Sequence, residues 1–219
     1  GVGSGGGGSS GGGGVGGGGD GGGVGGSSDV SKPKGRLLEL FAGSGHVSEY
    51  WRSQGYETTT VDNDPQLNPD ICIDILTWNY TNYHPDYFTD IWASPDCTSW
   101  SIATHKHRTL GDNLIPQTDT AITGAQLVHR TNDIVKYFSK AKYVIENPRG
   151  RLRHFQPMEV HPFRTTVYYS NYGFPYQKPT DLWSNVFLWD AETNHNPSTV
   201  QFNTNNVRKQ GRSLVPRGL

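Results

Sequence analysis

The stretch that decides the fold is RLLELFAGSGHVSEYW, residues 36–51. Its first six residues are mostly apolar and predict a short buried strand. Gly43 and Gly45 then predict a tight turn, because glycine adopts backbone conformations that other residues avoid. The following residues, 46–56, have apolar side chains at helical spacing and end at Gly55, a suitable helix stop. The stretch therefore predicts a strand, a glycine turn and a helix, which is how many α/β domains begin.

The chain beyond this unit continues to alternate strands and helices. A long amphipathic segment predicts a helix over about 118–140, with Ala121, Ala125, Val128 and Val135 on one stripe. Strands that alternate with helices indicate an α/β fold with a mostly parallel sheet and helices on both faces. The further predicted strands are 57–62, 71–75, 88–94, 142–147, 164–170 and 185–190.

The composition suits one folded domain behind a flexible segment. Most of the 29 glycines lie in residues 1–31, which have almost no apolar surface to offset the entropy of ordering, so we interpret this stretch as a disordered Gly/Ser-rich tail or linker. Residues 32–219 then form a single domain. The formal net charge is −1, so any contact with nucleic acid has to come from a local basic patch such as NPRGRLRH, residues 147–154.

The cysteine count and the hydropathy pattern argue against a disulfide-rich, zinc-binding, secreted or membrane protein. Two cysteines, Cys72 and Cys97, are too few for a disulfide framework or a four-cysteine zinc site, and we predict no metal. The sequence has no signal-peptide core and no apolar run near the ~20 residues of a membrane span. We therefore expect no membrane contact, and a protein of the cell interior, cytoplasmic or nuclear, that is not secreted.

Polar residues follow the predicted strands at their carboxyl ends, where open parallel sheets bind ligands. The first strand delivers the glycine turn, the second Asp62 and the third Asp74. Together they predict a cofactor that carries a nucleoside, with an acid accepting hydrogen bonds from ribose hydroxyls. The alternative is that the glycines form an ordinary strand-to-helix turn and each acid caps a turn.

The next two strand ends carry a thiol and a carboxyl group. Cys97 follows the strand at 88–94, and Glu146 ends the strand at 142–147. A thiolate is a strong nucleophile, and a carboxyl group in a dry pocket can stay protonated and donate a hydrogen bond. This pair suits covalent attack on an electron-poor ring whose nitrogen contacts the acid. The alternative is that Cys97 is a small core residue.

Six motifs, in order, resemble those of the cytosine-5 methyltransferase family, in the form of its short phage and viral members. They are LLELFAGSGHVSEYW, VDND, IDI, ASPDCTSWS, VIENP and NYGFPYQKPTDLW, within residues 36–189. The resemblance implies a Rossmann-like, class I methyltransferase that uses S-adenosyl-L-methionine. The glycine turn would hold its methionine end, Asp62 its ribose and Asp74 its adenine. The cofactor-binding residues so implied are Phe41, Ala42, Gly43, Gly45, Asp62, Asp74 and Pro95.

The same resemblance implies the chemistry at the base. Cys97 would attack C6 of cytosine, Glu146 would contact N3, and Lys178 would contact the carbonyl oxygen in place of an arginine. Asn147, Arg149 and Arg151 are assigned to the substrate side. DNA is the favoured nucleic acid. RNA cytosine, a pyrimidine nucleotide, or a catalytically inactive nucleic-acid-binding module are the alternatives.

The sequence departs from the family pattern around the nucleophile and after the last motif. Asp96 precedes Cys97, and an adjacent acid raises a thiol pKa when the side chains are close. No separate target-recognition domain is evident after Trp183. Base flipping would then use the loop at 103–117 and the basic patch, or a partner or fused domain would supply recognition. The segment RSLVPRGL, residues 212–219, faintly resembles a late family motif but also contains a protease-tag-like LVPRG.

Overall fold

The structure is a computed structural model that describes residues 32–103, 105–109 and 114–188. The predictions for the tail at 1–31, the tip of the polar loop and the segment 212–219 lie outside the described residues.

A seven-stranded sheet forms the centre of the fold. Its strand order is β3-β2-β1-β4-β5-β7-β6, in which β1 to β5 are parallel and β7 runs antiparallel to both of its neighbours. The prediction of a Rossmann-like α/β fold with a mostly parallel sheet is confirmed. The strands are β1 (Arg36–Leu40), β2 (Glu57–Asp62), β3 (Ile71–Cys72), β4 (Asp90–Ala93), β5 (Lys142–Pro148), β6 (Phe163–Tyr168) and β7 (Pro179–Ser184).

Two α-helices cover opposite faces of the sheet. Side chains alternate along a strand, so Leu37 of β1 faces the helix α1 (His46–Ser53) while Leu38 and Leu40 face the helix α2 (Asp119–Tyr137). The α1 side holds a small apolar cluster, and the α2 side holds the larger core. At about 1.5–3 kcal/mol for each fully buried leucine, this two-sided burial accounts for the apolar character of β1.

The glycines predicted to flank α1 lie at its two ends, and a threonine caps the start of α2. Gly45 precedes α1 in a left-handed conformation (φ 69°), and Gly55 follows it at φ 88°. The Thr118 side chain accepts a hydrogen bond from the backbone N–H of Ala121 and caps α2. The helix predicted over 118–140 ends three residues earlier than predicted, at Tyr137.

Two strand predictions are wrong in part. The third strand ends at Cys72 rather than at residue 75, because Asp74 bonds into a turn. No strand starts at 185 among the described residues; the final strand lies earlier, at Pro179–Ser184. Residues 180–184 are fully buried between β5 and β6, whereas the β-prone residues 185–188 leave the sheet.

Within the described part of the chain, no helix is both long and apolar enough to cross a membrane. The same residues contain no group of three or more His, Cys, Asp or Glu side chains placed to hold a metal ion.

Candidate active site

A cavity of about 300 Å³ opens at the carboxyl ends of the parallel strands. It is lined by residues at the ends of β1, β2, β4 and β5, by the turn after β3, and by Lys178 just before β7. This is the crevice in which open α/β sheets bind ligands. Its lining residues are Phe41, Gly43, Val61, Asp62, Asn63, Ile73, Asp74, Ile75, Ser94, Pro95, Asp96, Cys97, Leu127, Glu146, Pro148 and Lys178.

The glycine turn and the second strand are joined at one end of this cavity. The backbone N–H of Gly43 donates to Asp62 Oδ2 at 2.9 Å, and the N–H of Asp64 donates to Asp62 Oδ1 at 3.0 Å. Gly43 has φ 55° and Phe41 has φ 58°, so the chain turns sharply where it leaves β1. Each carboxylate oxygen of Asp62 retains a further acceptor site, since a carboxylate has about four.

Asp74 caps a turn and also lines the cavity. Its Oδ1 accepts the backbone N–H of Leu76 at 2.9 Å, so the side chain stabilises the turn after β3. The residue also lines the cavity beside the apolar side chains of Ile73 and Ile75. Apolar side chains beside a hydrogen-bond acceptor are a suitable environment for an adenine-like ring.

Ala42 and Gly45 do not line the cavity, unlike the other predicted cofactor residues. Ala42 is buried, and its N–H donates to the carbonyl oxygen of Val61 at 3.2 Å. Gly45 donates its N–H to the carbonyl oxygen of Ala42 at 2.9 Å and begins α1. Their positions are those of residues that shape the turn rather than line its cavity.

Cys97 lies at the opposite end, in the turn that follows β4. The residue is exposed at the open side of the cavity, but the surrounding walls still desolvate its thiol. This desolvation raises the pKa of the Cys97 thiol, and the nearby carboxylates of Asp96 and Glu146 raise it further, while the charge of Lys178 lowers it. The thiol is therefore less ionised than that of an ordinary cysteine.

Asp96 is paired with Thr98, the residue after Cys97. Its Oδ1 accepts the hydroxyl of Thr98 at 2.8 Å, and its Oδ2 accepts the N–H of Thr98 at 3.2 Å. The pairing fixes the turn around Cys97. It does not remove the negative charge, which still raises the pKa of the thiol.

Glu146 is the buried acid of the site. Only 5% of the residue is exposed, and its Oε1 has no hydrogen-bond partner within the described part of the chain. Burial raises the pKa of the Glu146 carboxyl group, and this effect is only partly offset by Lys178 and a hydrogen bond with Ser94. A carboxyl group whose pKa is raised can hold a proton and donate it in a hydrogen bond to a ring nitrogen.

Lys178 is the basic residue among the cavity-lining side chains. Its Nζ lies 4.5 Å from the centre of the Tyr169 ring and 3.5 Å from the Tyr169 hydroxyl. Its backbone has φ 30°, which is unfavourable for a residue with a side chain. The cavity thus brings together Cys97, Glu146 and Lys178, the three residues predicted as catalytic.

The three residues assigned to the substrate side differ in their exposure to solvent. Asn147 is buried, and its Nδ2 donates to the carbonyl oxygen of Pro95 at 2.9 Å, so it fixes the turn before Cys97 and does not line the cavity. Arg149 is exposed beside Pro148 at the cavity edge, where its guanidinium lies 3.5 Å from the Tyr168 hydroxyl. Arg151 is buried. Of the three, Arg149 has the exposure that a phosphate contact requires.

Sequence reasoning missed several cavity residues. Asn63 and Ile73 are adjacent to predicted residues, so their positions could have been included. Leu127 comes from α2, Ser94 directly follows β4, and no local pattern marks either of them. Tyr169, which contacts Lys178 from a buried position, also has no signal that spacing alone could show.

Comparison with known proteins identifies relatives of this chain. It is 30% identical over 156 residues to a probable DNA (cytosine-5)-methyltransferase of Frog virus 3 (isolate Goorha), an alignment that covers 69% of this chain and 71% of the relative. No family model matches the chain.

Solved structures add evidence on the fold. A methyltransferase of Entamoeba histolytica superposes with a TM-score of 0.51 at 12% identity over 80% of this chain, and the S. pombe Dnmt2 methyltransferase with a TM-score of 0.47 at 13% identity over 77%. The chain spans 58% and 57% of the lengths of those two proteins. The first of them supports the methyltransferase fold. The viral relative is 30% identical to this chain and is covered over 71% of its length, and on this evidence the chain belongs to the DNA (cytosine-5)-methyltransferase family.

Proposed function

We propose that this protein transfers a methyl group from S-adenosyl-L-methionine to C5 of cytosine in DNA through a covalent adduct at Cys97. The observation that carries the proposal is the unpartnered, buried Oε1 of Glu146, a residue that lines the same cavity as Cys97. A buried acceptor or donor without a partner costs about 1–3 kcal/mol, so its presence favours a ligand that completes it.

The other end of the cavity fits the adenosyl cofactor. Asp62 offers acceptor oxygens for ribose hydroxyls, and Asp74 lies beside an apolar wall formed by Ile73 and Ile75. The open space around Gly43, where an added Cβ would meet only the Phe41 carbonyl oxygen at 4.0 Å, admits a ligand close to the backbone. When bound, the cofactor supplies the methyl group that C5 receives.

The residues of the chain act on the base in a defined order. The Cys97 thiolate forms a bond to C6, and the electron pair of the C5–C6 double bond moves towards C5. The protonated Glu146 carboxyl group hydrogen-bonds N3 and stabilises the charge that this attack develops in the ring. Lys178 contributes a positive donor for the carbonyl oxygen. After C5 has been methylated, loss of its proton and elimination of the thiolate free the enzyme.

Ionisation of Cys97 has to be favoured by substrate binding in this scheme. In the free protein, Asp96 and Glu146 hold the thiol pKa above its ordinary value. A base that hydrogen-bonds a protonated Glu146 keeps that carboxyl group neutral and removes one of the two opposing charges. The proposal therefore includes a nucleophile that becomes reactive mainly when the base is in place.

We further propose that the nucleic acid is held by the exposed Arg149 and by the turn after Cys97, and that a partner or fused domain contributes target recognition. Arg149 lies next to cavity-lining Pro148 and is placed to meet a phosphate beside a flipped cytosine. A substrate of this kind places the protein in the cell interior, cytoplasmic or nuclear.

Trapping with DNA that contains 5-fluorocytosine tests the function. Fluorine at C5 cannot leave as a proton does, so the adduct persists, and mass spectrometry should find DNA joined to the Cys97 peptide when cofactor is present. Cys97→Ser should abolish the adduct. Cys72→Ser removes the other exposed cysteine and should leave it unchanged.

Parallel reactions separate the alternatives. Adduct formation on 5-fluorocytosine RNA or on the free nucleotide, and not on DNA, would replace DNA as the substrate class. Retained binding of cofactor and DNA with no adduct on any of the three would contradict the catalytic proposal and indicate a binding module.

A further inference from the structure

The buried tyrosine behind Lys178 has no role in the chemistry described above. Tyr169 is only 1% exposed, yet its hydroxyl faces the side chain of Lys178. The Lys178 ammonium lies over the tyrosine ring, 4.5 Å from its centre, within the range of a cation–π interaction. One residue therefore contacts the lysine through both its ring and its hydroxyl group.

Hydrogen bonds also link this pair to Thr180. The Thr180 hydroxyl donates to the carbonyl oxygen of Lys178 at 3.2 Å and also interacts with the Tyr169 hydroxyl. The Lys178 ammonium group can only donate, so the Tyr169 hydroxyl accepts from Lys178 Nζ. Lys178 is therefore contacted at its ammonium group by Tyr169 and at its backbone carbonyl group by Thr180.

These contacts restrict the flexible side chain of Lys178 and accompany its unfavourable backbone conformation. A lysine side chain has about 2 kcal/mol of rotamer entropy and lacks the rigid fork of arginine, so it is poorly fixed on its own. The backbone of Lys178 is also held at φ 30°, which persists only where its surroundings enforce it. The Tyr169 ring and hydroxyl group contact the ammonium end of the lysine, and the fully buried Thr180 bonds its backbone carbonyl oxygen.

We propose that Tyr169 is the positioning residue for Lys178: with Thr180, it holds the ammonium group at the cavity wall where the substrate carbonyl oxygen binds. The inference rests on the proposed function for the identity of that substrate. The contact between Tyr169 and Lys178 is a property of the folded chain and can be measured without turnover.

The first experiment measures the contact itself. Reductive ¹³C-methylation labels the lysines of the full chain, and the Lys178 signal is assigned by its absence in Lys178→Met. We expect this signal to be displaced upfield of the other lysines, because its methyl groups lie over an aromatic ring. Tyr169→Leu should return it to the position of exposed lysines, and Tyr169→Phe should keep most of the displacement. An undisplaced signal in the unaltered protein, or one that Tyr169→Leu leaves unmoved, would overturn the proposal.

The second experiment measures the consequence as a double-mutant cycle. Tyr169→Phe should slow adduct formation on 5-fluorocytosine DNA about tenfold in the unaltered chain, and less than about twofold in the Lys178→Met background, because its effect acts through the lysine. Thr180→Val should behave in the same way. Tyr137→Phe, which removes a hydroxyl group that donates to the Tyr83 carbonyl oxygen, should leave the rate unchanged.

The two experiments separate the two proposals. Equal losses from Tyr169→Phe in both backgrounds would show that Tyr169 acts on the fold and would refute the positioning role. Absence of any adduct, with the displaced lysine signal present, would refute the proposed function and leave the positioning role supported by the signal.

Discussion

Two glutamates are buried in the same sheet, and their surroundings differ. Glu39 on β1 is 3% exposed, and Glu146 on β5 is 5% exposed. Burial raises the pKa of both carboxyl groups. Glu39 accepts the backbone N–H of Ser48 at 2.9 Å, near the start of α1, whereas Oε1 of Glu146 has no partner among the residues described.

The presence or absence of a hydrogen-bond partner within the protein distinguishes a structural acid from a functional one. Burial and a raised pKa do not distinguish the two regions, since each acid has both. The hydrogen-bond partner does distinguish them: the Glu39 carboxyl group joins β1 to α1, while Glu146 has an unpartnered oxygen and lines a cavity that Cys97 and Lys178 also line. The predictions below test whether this distinction holds.

The largest expected effect is that of Glu146→Gln. Glutamine keeps the shape but cannot supply the acidic proton, so we expect adduct formation on 5-fluorocytosine DNA to slow by about 100-fold or more. Binding of S-adenosyl-L-methionine, measured by calorimetry, should be unchanged. Glu39→Gln is the matched control and should retain the rate. Similar losses in both variants would contradict the assignment of separate roles.

Much of this comparison was accessible from the sequence. Strand ends converge in a parallel sheet, so Cys97 and Glu146 could be placed together with Asp62 before any coordinates existed. The convergence depends only on strand order and direction, which short apolar runs and glycine turns indicate well. For the same reason the bounds of β2 are as predicted.

The remainder depends on contacts between distant parts of the chain. Glu39 sits in an apolar run, and only the packing of α1 explains its burial. The final strand was misplaced because the β-prone residues 185–188 resemble a strand locally, while pairing with β5 and β6 selects 179–184 instead. The contact between Tyr169 and Lys178 arises from the turn between β6 and β7, and no periodicity encodes it.

The next largest effect concerns the cation of the cavity. The charge of Lys178 lowers the pKa of the Cys97 thiol, so Lys178→Met should raise that pKa further and leave less thiolate at neutral pH. We expect adduct formation at pH 7 to slow about tenfold and the rate to recover partly as the pH increases. Lys140→Met removes an exposed lysine that pairs with Asp86 and should have no effect. A loss that is the same at every pH would assign Lys178 to substrate contact alone.

A smaller effect of opposite sign is expected at Asp96. Its carboxylate raises the pKa of the Cys97 thiol, so Asp96→Asn should lower that pKa and shift the rising limb of the pH–rate profile to lower pH. At pH 7 the increase in rate should be about twofold, because the group is exposed and solvent screens its charge. Asp86→Asn, a change at another exposed aspartate, is the control. A slower Asp96→Asn enzyme would show that its hydrogen bonds to Thr98 matter more than its charge.

The smallest effect is on stability and returns to Glu39. Its folded-state pKa is raised above the ordinary value of 4.5, so the folded protein binds this proton more tightly than the unfolded chain does. The resulting stabilisation is fully present below pH 4.5 and is lost as the pH rises through the folded-state pKa. Glu39→Gln removes this titration while keeping an acceptor for Ser48. The free energy of unfolding, measured with urea between pH 5 and 8, should therefore decline less steeply with pH in the variant, by less than about 1 kcal/mol across that range. A steeper decline in Glu39→Gln would contradict this prediction, because it would mean that the ionised Glu39 carboxylate stabilises the junction of β1 and α1.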